Sequence, residues 1–426
     1  MSWVDDKAYA ALARVREAKE KQVYPFFHPF ETGGLHTTIA GKPVVNFSSN
    51  DYLGLTTHPK VKEAAKAAVD KFACGLSSSR VQATTTAHVE LEERLAQWTG
   101  YEACLVFTTG YQAMVGTIMS LADQDTTLCL DAFSHACILD GTFMAAGTRG
   151  MAPEVRYFNH NSPKALERVL KNRERKNALV LFESVYSLDG DMAPIQEFVE
   201  ICERYNAVMV CDDAHGTGTL GTRGTGIVEH AGLNPSRVPI VISTFSKTFG
   251  GIGGILLGKR DVVDHIKHFA RSFLFSATLP VPIVAAASTI LDMLEADGPA
   301  LVAELHEKRD YARKTLTDIG FDLGKSSTHI MPVMCRDERK ALFMHVALLE
   351  SGVMMVPITY PGVKVGEERL RVNITRGHSR QDIDMAIDLL KTYGEAFYVL
   401  SGEELGPMEG ERDKEEKGSG PSASPA

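Results

Sequence analysis

Three residues of this chain could together hold an aldehyde cofactor and use it on an amine. Lys247 lies in Ser243-Thr244-Phe245-Ser246-Lys247-Thr248-Phe249-Gly250-Gly251, among small hydroxylated residues and glycines. About one strand-turn-strand unit upstream stands Cys211-Asp212-Asp213-Ala214-His215-Gly216. A lysine amine in such surroundings can form a Schiff base. An aspartate at a strand end can hold a ring nitrogen, and a histidine three positions later can reach a phenolic oxygen. That set of partners describes pyridoxal phosphate (PLP). Taken singly, Asp212 and His215 read as a strand-end turn with a capping acid, and Lys247 as a surface lysine. Their order and their glycine-rich flanks favour the cofactor reading.

The elements around them must bring these groups together. From about 60 to 290 the pattern alternates helix and strand. His58-Pro59 followed by Lys60–Val69 reads as a helix with Pro near its start. Short apolar runs at Cys104–Phe107, Thr127–Leu130, Leu179–Phe182, Ala207–Cys211, Ile240–Ile242 and Ile255–Leu257 read as strands. Continuous apolar strands between helices predict an α/β domain with a mainly parallel sheet covered on both faces. Pro280–Leu294 reads as a helix leading out of it. Residues 291–398 predict a smaller α+β domain, with strands at His329–Cys335, Val353–Val356 and Arg369–Ile374 and a last helix over Arg380–Tyr393. Residues 1–59 read as an amphipathic helix (about 5–22) and an aromatic arm, Tyr24-Pro25-Phe26-Phe27-His28-Pro29-Phe30. The arm either packs on the body or forms a lip over an acyl chain. Residues 399–426 are rich in Glu, Lys, Gly, Ser and Pro and read as a disordered tail.

The 426 residues allow two or three domains, and 44% hydrophobic content allows a sizeable core. The net charge is −9, and residues 401–426 carry seven acids against three bases. The body is therefore only mildly acidic, which argues against nucleic acid as a partner. The seven cysteines are scattered without a C-x-x-C and read as reduced core residues of a cytoplasmic protein. No apolar stretch predicts a signal peptide or a transmembrane segment.

Gly216-Thr217-Gly218-Thr219-Leu220-Gly221 matches the dinucleotide fingerprint G-x-G-x-x-G. The fingerprint needs its last glycine to open a helix. Thr222-Arg223-Gly224-Thr225-Gly226 cannot do so, and the match reads as a turn after the Asp–His pair.

The ordered motifs resemble those of the α-oxoamine synthases, PLP enzymes of fold type I that condense an amino acid with an acyl thioester. The resemblance covers about residues 44–398. It rests on Asn46–Leu55, on His88 with Leu91-Glu92, on Phe107-Thr108-Thr109-Gly110-Tyr111 and on Asp131-Ala132-Phe133-Ser134-His135-Ala136. It continues through Glu183–Asp191, the Asp212/His215 turn, the Lys247 segment, Phe275–Pro280 and Arg369-Leu370-Arg371.

The resemblance implies a division of labour. Lys247 binds PLP, and its freed amine serves as base at the substrate α-carbon. Asp212 holds the pyridine nitrogen, His215 the phenolic oxygen, and His135 stacks on the ring. Amides of Thr109, Gly110 and Tyr111 with the Thr244 hydroxyl cradle the phosphate. Ser276 reaches the phosphate of a neighbouring subunit, which implies a homodimer with shared active sites. Glu183 and Ser187 line the cofactor pocket, and Asn50 and Tyr52 meet the acyl substrate. Arg371 is the candidate for the amino-acid carboxylate, with Arg369 its rival on the same strand face. One departure stands out. Where the family carries Gly-Ser-Arg and a further glycine, this chain reads Gly75–Thr86 with Leu76-Ser77-Ser78-Ser79-Arg80, which predicts extra side chains near the substrate entrance.

The expected reaction is a decarboxylative condensation of an amino acid with an acyl-CoA, or with an acyl carrier protein thioester, giving an α-amino ketone. Val106–Gly141 and the aromatic arm look most like bacterial serine palmitoyltransferases, which points to serine and a long acyl chain. The Asp212–Gly218 turn looks more like 8-amino-7-oxononanoate synthase, which points to alanine and pimeloyl thioester. Glycine C-acyl transfer, a PLP lyase or aldolase, and a silent partner subunit are the other readings. The last is disfavoured because Lys247, Asp212, His215 and His135 are all present.

Overall fold

The apolar runs do form the strands of one central sheet, and their ends carry the chemistry. In the computed structural model, which describes residues 2–148, 150 and 152–406, an N-terminal ribbon of β1 (His36–Ile39) and β2 (Lys42–Asn46) comes first. The large sheet follows: β3 (Ala103–Phe107), β4 (Thr126–Asp131), β5 (Glu154–Phe158), β6 (Asn177–Glu183), β7 (Val208–Asp212), β8 (Ile240–Thr244) and β9 (Gly254–Gly258). Their spatial order is β3-β9-β8-β7-β6-β4-β5. Strands β5, β4, β6, β7 and β8 run parallel, and β9 lies antiparallel between β3 and β8. This is the mainly parallel seven-stranded α/β sheet of fold type I. Helices on both faces bury two apolar layers against it.

The strand that the apolar runs did not reveal is β5. It alternates Val155 and Tyr157 with Glu154 and Arg156 and leaves most of its residues partly or fully exposed. It is an edge strand, so it lacks the continuous hydrophobicity of its buried neighbours.

The helix expected to end at Leu294 instead runs Val281–Ile319, 39 residues with Pro299 inside it. Asp297-Gly298-Pro299 reads as a stop, yet tertiary packing overrides it. Gly298 lies against the backbone of Arg223, where a Cβ would come within 2.8 Å of the carbonyl oxygen. The helix serves two cores: Val284, Ile290, Leu294 and Leu305 pack with the large sheet, and Ala312 and Leu316 with the smaller C-terminal core.

That smaller core covers an antiparallel sheet of β10 (Ile330–Met334), β12 (Val356–Ile358) and β13 (Arg369–Asn373), in the order β10-β13-β12. The single strand expected at Val353–Val356 is split. β11 (Val353–Met354) joins β2 in parallel, while β12 joins β13. The N-terminal helix is likewise two, Trp3–Ala11 and Ala13–Glu20, neither with a buried residue. In the aromatic arm Phe27 is exposed, and the His28 ring lies 5.6 Å from that of His345. Val399 and Leu400 pack on the small core, and Lys340 Nζ donates to the carbonyls of Tyr398 and Glu403. The remainder of the expected tail, 407–426, lies outside the described residues. Among the described residues no helix is long and apolar enough to cross a membrane.

Candidate active site

Parallel pairing sets Glu183, at the end of β6, beside Asp212, at the end of β7, and Asp212 beside Ile242 of β8. Strand ends of this kind are where open α/β sheets bind ligands. Asp212 Oδ1 accepts from the Ala214 amide at 3.1 Å, and its Oδ2 accepts from the Cys137 thiol at 3.7 Å. Burial, reinforced by Asp212 and Glu183, pushes the Cys137 thiol far up, so it stays a donor. Burial and then Asp212 push the Glu183 carboxyl well above its ordinary value. Lys247 faces the same cavity. Burial lowers its amine against the pull of Asp212 and Glu183. A buried amine with a lowered pKa is a better nucleophile near neutrality.

The turn after β7 carries His215, whose Nδ1 lies 2.6 Å from the Tyr52 hydroxyl. Burial, then Lys247 and Arg371, depress His215 well below its ordinary value and leave it neutral. Tyr52 is fully enclosed, donates to Asn50 Oδ1 at 3.0 Å, and sets its ring 4.0 Å from that of His329. The expectation that Tyr52 meets the acyl substrate is therefore corrected: it has no surface to offer one and braces His215 from behind. The segment Gly216–Gly221 forms turns rather than opening a helix, with φ +85° at Gly218 and +79° at Gly221.

The other wall is an anion cradle. Thr109 caps the helix Gly110–Leu121, its hydroxyl accepting from the Gln112 amide at 3.0 Å. The amides of Gly110 and Tyr111 have no intrahelical partner, and Thr109, Gly110 and Tyr111 line the cavity. A Cβ at Gly110 would lie 3.0 Å from Thr244 Cβ, and one at Gly254 would lie 2.3 Å from the Thr109 carbonyl oxygen. Only glycines let these backbones approach. The Thr244 hydroxyl donates to the Gly253 carbonyl at 2.7 Å and accepts from the Ser246 amide. His135 caps the helix Ala136–Ala146 through its Nδ1 and the Cys137 amide. A cavity of about 380 Å³ is thus bounded by an anion-binding helix start, a carboxylate and a buried lysine. PLP has a phosphate, a pyridine nitrogen and an aldehyde to match them, so the residues present fit the cofactor.

A second cavity, of about 310 Å³, shares Lys247, His135 and His215 with the first and adds Asn50, Ser187 and Arg371. The two arginines of β13 have different partners here. Arg369 is buried in an ion pair with Asp189 at 2.7 Å. Arg371 donates from Nε to the Ser187 carbonyl at 2.6 Å and from Nη2 to Asn50 Oδ1 at 3.2 Å. It forms no ion pair among the described residues and faces the cavity of Lys247.

Ser276 is not brought to these cavities within one chain. Gln112 Nε2 donates to it at 3.0 Å, and it lines a separate groove with Ser77–Ser79 and Phe275. The Gly75–Thr86 segment is stapled to that region, and none of its residues lines either Lys247 cavity. Arg80 forks onto Glu92 at 2.8 and 3.1 Å, Thr278 N donates to the Ser78 carbonyl, and His88 spans Thr85 and the Leu279 carbonyl. The His88 and Glu92 motif is a brace. The lining residues that sequence reasoning missed include Ser246 and Cys137, although each stands within two positions of a residue that was singled out.

Fold and site together define a PLP-dependent enzyme of fold type I. The sequence matches the family "Aminotransferase class I and II" over residues 42–390. It is 36% identical over 391 residues to the 8-amino-7-oxononanoate synthase of Thermoanaerobacter pseudethanolicus, covering 91% of this chain and 97% of that one. It is 33% identical over 377 residues to the serine palmitoyltransferase of Sphingobacterium spiritivorum, covering 88% and 92%. The serine palmitoyltransferase of S. paucimobilis, solved with a bound PLP–myriocin aldimine, superposes with a TM-score of 0.85 at 30% identity, covering 94% of this chain and 100% of that one. The chain belongs to the PLP-dependent α-oxoamine synthases, acyltransferases within the class I and II aminotransferase family.

Proposed function

We propose that this enzyme condenses a small α-amino acid with an acyl-CoA, losing carbon dioxide and free thiol and leaving an α-amino ketone. The observation that carries this reading is Arg371, whose fork lies beside Lys247 with no carboxylate of its own. Bound PLP supplies an electron sink for charge formed at the α-carbon. Asp212 holds the ring nitrogen, the Thr109–Tyr111 amides and Thr244 hold the phosphate, and His135 stacks on the ring. Glu183 lines the same pocket, Ser187 orients Arg371, and the Lys247 amine moves the α-proton. Charge-assisted bidentate contact from Arg371 fixes the substrate carboxylate. A second subunit completing the site through Ser276 is supported by the exposed Phe275 beside it and by Ser276 lining a groove separate from this chain's own Lys247 cavities. All seven cysteines are free and six are buried, which fits a reducing, cytoplasmic setting.

Serine with a long acyl chain is the first substrate reading. It is supported by the apolar wall of Leu188, Val356 and Ile358 beside Arg371 and by the structural likeness at TM-score 0.85. Alanine with pimeloyl thioester is the second, favoured by the sequence relative at 36% identity. Thiol release measured for serine, alanine and glycine against acyl-CoAs of increasing length decides between them. Release with serine and long chains alone is the expected result. Release only with alanine and pimeloyl-CoA moves the assignment to the second reading. No release from any pair, with PLP bound, removes the CoA-dependent reading and turns the test to carrier-protein thioesters.

A substitution separates the two arginines. Arg371→Lys keeps the charge and loses the fork, so the amino-acid KM should rise roughly tenfold to a hundredfold with little change in protein stability. Arg369→Lys should raise that KM less than Arg371→Lys does and lower the melting temperature, because lysine cannot keep both the Asp189 ion pair and the Glu367 carbonyl contact. The reverse pattern would exchange the two roles.

A further inference from the structure

His160 lies outside both cavities, after the exposed edge strand β5, and the chemistry above does not use it. Its surroundings are unusual. Nδ1 lies 3.0 Å from Asp131 Oδ1, and Nε2 lies 2.9 Å from Asp191 Oδ2. Side-chain exposure is 15% for His160, 0% for Asp131 and 11% for Asp191. A neutral imidazole has one N–H and could donate to only one carboxylate, leaving a lone pair facing the other. With both carboxylates ionised, only the imidazolium satisfies both. The Phe133 ring stacks on it at 4.3 Å, and the Tyr186 ring meets it edge-on at 4.4 Å.

The two aspartates belong to the two halves of the active site. Asp131 ends β4, and the same oxygen that meets His160 accepts the Phe133 amide at 2.8 Å, shaping the turn that delivers His135. Its other oxygen accepts the Asn161 amide. Asp191 closes the loop after β6 through the Tyr186 amide and its own carbonyl. That loop supplies the Ser187 carbonyl to Arg371 and the Asp189 carboxylate to Arg369. The cofactor-facing histidine and the carboxylate-facing arginine are therefore joined through one cation.

We infer that His160, as an imidazolium between Asp131 and Asp191, is a positioning residue that locks the His135 turn to the Ser187–Asp189 loop and so sets Arg371 for the amino-acid carboxylate. The inference rests on the proposed reaction for its kinetic consequence but not for its physical one. Electrostatics agree with the geometry: burial opposes the charge, and the two carboxylates outweigh it and hold His160 up to about 9. Asp131 and Asp191 are the charged groups facing the ring. The Tyr186 phenol, the other titratable group packed on it, is pushed well above its ordinary value by burial and stays neutral.

The sign of the pH effect follows. His160 is raised from 6.5 to about 9, so its contribution to stability is complete below pH 6.5 and is lost as pH rises towards 9. The test uses wild type, His160→Gln and Asp191→Asn. In wild-type protein, the ring signal assigned by its absence from His160→Gln should titrate near pH 9, and Asp191→Asn should move that midpoint down. PLP-free wild type should lose melting temperature between pH 6.5 and 9, and PLP-free His160→Gln should lack that slope. With PLP bound, His160→Gln should raise the amino-acid KM roughly tenfold and leave kcat within about threefold, the effect of loosening a group behind a binding residue. A wild-type midpoint at or below 7 would overturn the inference, and if His160→Gln failed to fold, the ring signal would be assigned by its shift in Asp191→Asn instead. So would an unchanged KM with an unchanged pH slope. Because titration and melting need no substrate, their success with no thiol release from any pair would sink the proposed reaction and leave the brace standing.

Discussion

Lys247→Ala protein is expected to fold, to retain PLP only by non-covalent contacts, and to lose turnover by at least about a thousandfold. The reasoning is local. Lys247 is the lysine that lines the cavity of about 380 Å³ with Asp212 and the Thr109–Tyr111 helix start. Burial lowers its amine, which favours attack on an aldehyde near neutral pH. Removing it would take away both the proposed covalent tether and the amine proposed to move the α-proton. The visible absorbance of the lysine-bound cofactor should vanish, while circular dichroism and melting temperature should stay close to wild type. Phosphate cradle and ring contacts remain, so PLP should still be retained on gel filtration. Turnover within tenfold of wild type would refute the assignment of Lys247. Loss of folding would be answered by Lys247→Arg, which keeps a cation against Asp212 and Glu183 and cannot form the same tether.

Asp212→Asn should produce the second large effect, a fall in kcat on the order of a hundredfold to a thousandfold with PLP still bound. An amide is nearly isosteric with the carboxylate and can still accept from the Ala214 amide. It cannot present a negative charge to the ring nitrogen, and the cofactor becomes a weaker electron sink. Glu183 does not replace it. That carboxyl ends β6, one strand away, and its burial works against ionisation. The measurement is kcat and the cofactor absorbance as functions of pH in wild type and variant. A variant with wild-type kcat would show that Asp212 is only a turn-shaping acid, its plainest reading.

Much of the fold was legible because buried parallel strands are written as short continuous apolar runs between helices. The edge strand β5 escaped because it carries Glu154 and Arg156 among its five residues and leaves Arg156 and Tyr157 exposed to water. The long helix Val281–Ile319 escaped because Gly298 and Pro299 mimic a stop. Packing against Arg223 keeps the helix continuous there.

The site divides along the same line. By itself the sequence determined the cofactor class and pointed to most of the groups proposed to hold it. Lys247, Asp212, His215, His135 and the Thr109–Tyr111 turn each sit in a short motif whose backbone geometry is local, a strand end or a helix cap. Tertiary structure alone decided what depends on groups far apart in the chain. Arg369 and Arg371 share a strand face and a residue type, and only Asp189, some 180 positions away, withdraws one of them. Tyr52 became a brace because His215 and His329 close over it. His160 carried no motif at all. It is one imidazole placed between the aspartate that ends β4 and an aspartate of the loop after β6, and its inferred charge depends on folding bringing both carboxylates to it against the cost of burial.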